Sequence, residues 1–288
     1  GSITSPVGFS AGAVAAGVKY QGRLDLGIIA SERPGRVAAV FTRNAVRSAP
    51  VIISQRRLSR GEGQAVVVNS GCANACTGPR GLHDAEQTAR LAASRLGIAP
   101  ELVYVAATGV IGTFVPLDRI AAGISRMALT PQNGHDFARA IMTTDTCAKE
   151  MAVSVSSPLG SYTIGAAAKG SGMIHPDMGT MLCFITTDAN VEGEFLQSAL
   201  SRAADNTFNM VSVDGDTSPS DTVLLFSNGR ANNELITGKN GAEFEQALTA
   251  VCTRLATSIA ADGEGATKLL EVTVCGAVDD VDAKRAAR

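Results

Sequence analysis

KGSGMIHPDMGTMLCFITTDAN, residues 169–190, sets a glycine-rich approach and a Met-Ile-His-Pro turn against an apolar, β-branched run. The run MLCFITTDA, from Met181 to Ala189, reads as a buried strand, because it is short, β-rich and bounded by turn residues. At its mouth stands the pair Gly179–Thr180. Glycine tolerates unusual backbone angles, and a threonine hydroxyl can attack the carbonyl of the peptide bond that precedes it. Such an N→O acyl shift, followed by hydrolysis of the ester, leaves Thr180 as a new N-terminus. An α-amino group has an ordinary pKa of about 7.7–8.0, so it can serve as general base for the hydroxyl on the same residue. One residue then supplies nucleophile and base. Taken alone, the dipeptide reads equally as a turn entering a strand, with Thr180 on the first pleat. A second Gly-Thr pair, Gly112–Thr113, shows how common the dipeptide is.

Around this stretch the chain mixes strands and helices without strict alternation. LDLGIIA, a turn at SERPGR and VAAVFT read as a β-hairpin. QAVVVN, LVYVAA and DTVLLFS read as short buried strands, and residues 150–170 as a second hairpin about Pro-Leu-Gly. Helical spacing runs from Asp84 to Leu96 with Gly97 as its stop, after Pro116, over Gly134–Met142 and over Glu194–Ala204. Asn240 with Glu243 predicts a capping box for a helix reaching about Ala260. LLEVTVCGAV reads as a further strand, and DDVDAKRAAR as the opening of a helix. This pattern predicts an α+β fold, a layered αββα-type sandwich with largely antiparallel sheets. The expected division is a core over 1–240 and, over 241–288, the start of a smaller C-terminal α/β domain that is cut short.

Composition narrows the function. The 288 residues carry a net charge of −2, with 45% hydrophobic and 18% charged residues. No basic stripe with interleaved aromatics is present, which argues against nucleic acid. The apolar runs are too short to cross a bilayer, and the N-terminal stretch lacks the charged opening of a secretory signal. Six cysteines in a chain of this length do not form a disulfide framework. A reducing, cytoplasmic setting is expected, with no membrane partner and no metal. Cys72 and Cys76, without a second pair, make a weak zinc signal.

An acyl-transfer site needs donors for an oxyanion. Thr108 and Gly109, in AATGVIG after a strand, can aim a hydroxyl and an N–H at one oxygen; an ordinary glycine turn is the alternative. The three histidines, His83, His135 and His175, fall in no triad pattern. Asp214, Asp216 and Asp221, in VDGDTSPSD, read as turn and capping residues rather than a calcium loop, which would need different spacing.

Six ordered motifs add up to a family. VVVNSGCANACTG (66–78), ATGVIG (107–112), AIMTTDT (140–146), KGSGMIHPDMGTML (169–182), TFNMVSVDGDTSPSDTVLL (207–225) and ADGEGATKLLEVTVCGA (261–277) together resemble ornithine acetyltransferase, also called glutamate N-acetyltransferase. The resemblance runs from about Ile3 to the last residue. It implies a self-cleaving, N-terminal-nucleophile-like enzyme, cut here between Gly179 and Thr180 into chains 1–179 and 180 onward that assemble as α2β2. It implies transfer of acetyl from N2-acetylornithine to glutamate by a ping-pong route through acetyl-Thr180, in arginine biosynthesis. No cofactor is implied; acetyl-CoA enters only as an additional acetyl donor. Carried over residue by residue, the nucleophile falls on Thr180 and the oxyanion pair on Thr108 and Gly109. The substrate-binding residues fall on Thr143, Lys169, Thr180 and Glu264. Lys169 and a threonine hydroxyl suit the α-carboxylate shared by both substrates, and Glu264 suits the terminal ammonium of ornithine. By themselves, Lys169 reads as a surface lysine, Glu264 as a solvated helix end and Thr143 as a helix-end hydroxyl. Relatives continue into an Asp-Pro-Asn-Trp-Gly segment and a C-terminus that supply an asparagine and a Ser/Thr to the substrate site. Two other readings stay open: an amidohydrolase or aminopeptidase with the same N-terminal threonine and water as acceptor, and an inactive, truncated precursor.

Overall fold

The structure, a computed structural model, describes residues 1–175 and 181–287. In chain order the elements are β1 (Phe9–Val14), β2 (Leu26–Phe41), α1 (Ala49–Leu58), β3 (Glu62–Cys72), α2 (Gly78–Leu96), β4 (Val103–Val110), α3 (Leu117–Arg126), α4 (Gly134–Ala140), β5 (Lys149–Ser157), β6 (Gly160–Lys169), β7 (Leu182–Thr187), α5 (Gly193–Asn206), β8 (Thr222–Ser227), α6 (Ala242–Ala261) and α7 (Asp280–Ala287). The strands form one sheet in the order β4-β3-β2-β8-β7-β6-β5, with β1 on β2. The pairs β3–β4 and β7–β8 are parallel, and the other five are antiparallel.

The sheet folds on itself to make two layers. Tyr104 on β4 and Phe226 on β8 stand three strands apart in the hydrogen-bonded order, about 14 Å across a flat sheet. Their rings nevertheless meet edge to face at 5.7 Å. The two inner faces share one core, from Val66 and Val68 on β3 to Phe184 on β7 and Leu224 on β8, with Phe137 and Ile141 at the end of α4 inserted between them. Helices α1, α2 and α3 cover the outer face of β2–β4. Helices α5 and α6 cover the outer face of β5–β8. The expected αββα layering is present, built from halves of one sheet.

The strand that joins the halves corrects the first hairpin. LDLGIIA and VAAVFT lie on the single sixteen-residue β2, whose register shifts between Ala30 and Gly35. SERPGR has the composition of a turn, but the two ends of β2 have different partners. Leu26 to Ser31 pairs with β1, and Arg36 to Phe41 pairs with β8. A bulge bends the strand from one layer into the other and accommodates Pro34, which has no N–H to give.

Three further expectations change. Helix α6 begins just past residue 240, yet its Phe244, Leu248, Val251 and Leu255 are buried in the same cluster as β6–β8, so it belongs to the core. The capping box does not form, because Asn240 Oδ1 accepts from the Thr237 N–H and the cap position is Gly241. Residues 269–278 pair with no strand among the described residues, and Leu270, Val272 and Val278 are exposed. Among the described residues, no helix is long and apolar enough to cross a membrane.

Candidate active site

Five chain segments meet at one end of the two-layered sheet. β3 and β4 run parallel, so their C-terminal ends lie together, with Ser70 beside Thr108 and Gly71 beside Gly109. Gly109 has φ of +127° and Gly71 has φ of +111°, values that L side chains rarely adopt. A methyl group on Gly109 would collide with the Gly71 backbone. The two glycines thus let the strand ends close on each other beside Thr108, which is 1% exposed.

β6 ends at Lys169, opposite Leu182 at the start of β7, and Leu182 pairs in turn with Thr222 at the start of β8. The sequence-predicted residues Gly179 and Thr180 lie outside the described residues. Met181, the residue after Thr180, is bonded on both sides: its N–H donates to Asp221 Oδ1 at 3.0 Å, and its carbonyl accepts from the Thr222 N–H.

Lys169 is 1% exposed, and Nζ donates to Thr108 Oγ1 at 3.5 Å. Burial pulls its pKa below the usual lysine value, and Asp145, Asp221 and Glu264 offset part of that. Asp145 Oδ2 lies 4.0 Å from Nζ. The same carboxylate takes the Lys149 ammonium at 2.8 Å, the Gly170 N–H at 2.7 Å and the Thr143 N–H at 3.0 Å. Burial pushes its pKa up, but the charges of Lys169 and Lys149 and these bonds outweigh it and hold the group below the usual carboxylate range. Lys149 Nζ also donates to Asp262 Oδ2 at 2.6 Å, and Asp262 accepts from the Thr146 N–H and hydroxyl.

This buried cluster fixes the substrate-side segments to one another. Asp145 holds Thr143, and Arg23 Nη2 donates to the carbonyls of Met142 and Thr143 at 2.7 and 2.8 Å. Thr144 Oγ1 and Ser171 Oγ share a hydrogen bond at 2.8 Å. Past the end of α6 the Glu264 N–H donates to the Ser171 carbonyl at 2.7 Å, and a methyl on Gly172 would run into the Glu264 carboxyl. Asp214 accepts from the N–H groups of Met173 and Ile174 at 2.5 and 2.9 Å.

These segments enclose a cavity of about 400 Å³ whose lining includes Thr108, Gly109, Thr143, Lys169 and Glu264, with Lys19, Tyr20, Arg23 and Asp25 on another side. That is the size of a small-molecule site. All five sequence-predicted site residues that are described are therefore together, and no histidine lines the cavity. Asp214 and Asp221 cap backbone N–H groups, as their turn-like sequence suggests. Missed in the sequence were Arg23, Asp145, Lys149 and Asp262. The available signal was a charged residue inside an apolar or motif context, such as Asp145 directly after Thr143–Thr144.

This sheet folded between helical layers is similar in fold to the L-aminopeptidase D-Ala-esterase/amidase from Ochrobactrum anthropi, described as a variant of the Ntn hydrolase fold (15% identity, TM-score 0.51, 91% of this chain and 86% of that one). The chain belongs to the ArgJ family, whose model matches residues 10–288. It is similar to the arginine biosynthesis bifunctional protein ArgJ of Dehalococcoides mccartyi, at 51% identity over 292 residues covering 100% of this chain and 72% of that protein. It is also similar to the crystal structure of the arginine biosynthesis bifunctional protein ArgJ from Bacillus halodurans (44% identity, TM-score 0.59, 63% of this chain and 94% of that one). A third likeness is to ornithine acetyltransferase from Mycobacterium tuberculosis in complex with ornithine (39% identity, TM-score 0.54, 61% of this chain and 94% of that one).

Proposed function

We propose that this chain is an acyltransferase of arginine biosynthesis that cuts itself between Gly179 and Thr180 and then moves acetyl from N2-acetylornithine to glutamate through acetyl-Thr180. The observation that carries the reading is the convergence of Thr108, Gly109, Thr143, Lys169 and Glu264 on one cavity. The sheet register adds to it, because Lys169 stands opposite Leu182, two residues past Thr180. The lengths of the solved relatives support the cut. Nearly all of the Bacillus halodurans chain is matched by 63% of this one, and 179 of 288 residues is 62%.

In this reading the Thr180 hydroxyl attacks the acetyl carbonyl of N2-acetylornithine while its own α-amino group takes the proton. The Thr108 hydroxyl and the Gly109 N–H receive the charge that develops on the carbonyl oxygen. Ornithine leaves as the protonated amine, and the glutamate amine attacks the acetyl ester by the reverse path. Lys169 and Thr143 hold the α-carboxylate common to both substrates, and Glu264 holds the ornithine ammonium. Relatives described as bifunctional support acetyl-CoA as a second donor. The reading carries with it an α2β2 assembly of the cut chains.

The test is an intact-mass spectrum of the denatured protein before and after brief exposure to N2-acetylornithine. The expected result is two species divided after Gly179, the second gaining one acetyl, with Thr180→Ala uncut and unacetylated. A cut elsewhere, or acetyl on neither piece, overturns the reading. Acetylglutamate formed only when glutamate is supplied separates transfer from hydrolysis by water.

A further inference from the structure

The loop between β1 and β2, residues 15–25, supplies Lys19, Tyr20, Arg23 and Asp25 to the lining of the cavity. Both ends of this loop are fastened. At its start the Asp25 carboxylate accepts from the N–H groups of Ala16 and Val18, each at 2.6 Å. From α3, Arg119 Nη1 donates to the Gly17 carbonyl at 2.6 Å, and Arg126 donates to the Ala15 carbonyl. At its end Arg23 holds the Met142 and Thr143 carbonyls. Lys19 therefore stands between fixed points instead of on a free arm. It is exposed yet lines the cavity, which puts it at the mouth.

The stem of Lys19 packs on the strand ends that carry Thr108 and Gly109. A methyl group on Gly71 would lie 2.8 Å from Lys19 Cβ, and Gly71 pairs with Gly109. Lys169 reaches the same place from β6, with Nζ on Thr108 Oγ1. Glu264 lies on a different wall, against Gly172. Several charged groups around the cavity are already engaged. Asp25 gives both oxygens to its own loop, and Arg23 Nη2 is turned to two carbonyls. Lys19 differs from them. Its ammonium lies 4.7 Å from the centre of the Tyr20 ring, a contact that orients the charge without supplying an anion. Among the described residues it makes no hydrogen bond or ion pair.

The two amino acids of the proposed reaction differ at the far end of the side chain. Ornithine ends in an ammonium and glutamate in a carboxylate. Glu264 suits the first and repels the second. A cavity that takes both in turn needs a cation for glutamate away from Glu264.

We infer that Lys19 receives the side-chain carboxylate of glutamate and so selects the acceptor, an inference that rests on the proposed transfer from N2-acetylornithine to glutamate. The loop brings the ammonium to the cavity mouth with its donors unspent, and a carboxylate arriving there gains a charge-assisted hydrogen bond. The ornithine ammonium gains nothing from it. One lysine on the β3–β4 wall and one glutamate beside the end of β6 thus sort two side chains of opposite charge within a single cavity.

The experiment measures acetyl transfer by the wild type, Lys19→Met and Lys19→Arg, with glutamate and with glutamine as acceptors. Methionine keeps an unbranched stem and removes the charge. Lys19→Met should raise KM for glutamate about tenfold more than KM for N2-acetylornithine, the low end for a hydrogen bond to a charged group, as suits an exposed position. It should also narrow the preference for glutamate over glutamine. Lys19→Arg, which keeps the charge, should recover most of both. Two KM values that move together in Lys19→Met, or an unaltered preference for glutamate over glutamine, would overturn the inference. An arginine no better than methionine would overturn it too, because the effect would then belong to the packed stem and not to the charge. Failure of the underlying reading looks different: the wild type itself forms no acetylglutamate from N2-acetylornithine and glutamate.

Discussion

Two buried carboxyls act on Lys169, and the fold treats them oppositely. Asp145 has two lysines and two backbone N–H groups around it and is held ionised. Asp221 takes the Met181 N–H, and burial pushes its pKa well up, offset only in part by that N–H, Lys169 and the Ser218 and Thr42 hydroxyls. The difference is not depth, since both side chains are out of solvent. It is the ammonium charge beside each site, Lys149 and Lys169 around Asp145 against Lys169 alone near Asp221, that turns the shift one way or the other.

Breaking the better-supplied site should have the largest effect. Asp145→Ala leaves the Lys149 ammonium with Asp262 alone and frees Thr143 and Gly170. Removing one member of a buried ion pair costs about 3–5 kcal/mol, to be read from the urea midpoint. Asp145→Asn sharpens the contrast through pH. The folded pKa of Asp145 lies below its unfolded value, so its contribution is fully present above about pH 4 and is lost as pH falls through the folded pKa. The stability gap between wild type and Asp145→Asn should therefore be the same at pH 7 and pH 5 and shrink below about pH 4.

A carboxylate at the rim should matter less and more selectively. Glu264 is exposed, so Glu264→Gln should raise KM for N2-acetylornithine by roughly fivefold, about 1 kcal/mol, and leave KM for glutamate unchanged. The smallest change in stability is expected at Asp221→Asn, within about 1 kcal/mol of the wild type, because the amide keeps an oxygen for the Met181 N–H. Two buried aspartates would then differ in how much their charge contributes to stability.

Much of this was legible in the chain. Thr108, Gly109, Thr143, Lys169 and Glu264 each stand in a short motif whose spacing survives without any knowledge of contacts. The β5–β6 hairpin and the helix stop at Gly97 follow from local turn chemistry, and Gly97 does take the left-handed conformation. What was not legible depends on partners far away in sequence. SERPGR looks like a turn until β8 and β3 are beside it. LLEVTVCGAV alternates like a strand, but alternation cannot supply a neighbour. Lys149 meets Asp262 across 113 residues, and neither residue carries a local sign of the other. The opposed pKa shifts of Asp145 and Asp221 belong to this second kind, since they are set by which donors and lysines the fold brings near.

The place of β7 and β8 in the strand order has a consequence for the cut protein. Both follow Thr180 in sequence, yet they lie inside the sheet, with β2 on one side and β6 on the other. Each of those two seams is a ladder of six residue pairs. Once the chain is cut, the second piece is a wedge clasped from both flanks by the first, and separating them means opening both seams together. Unfolding then changes molecularity: one folded particle gives two free chains, and its melting temperature becomes dependent on protein concentration. The uncut precursor has a unimolecular transition instead, whose melting temperature does not depend on protein concentration.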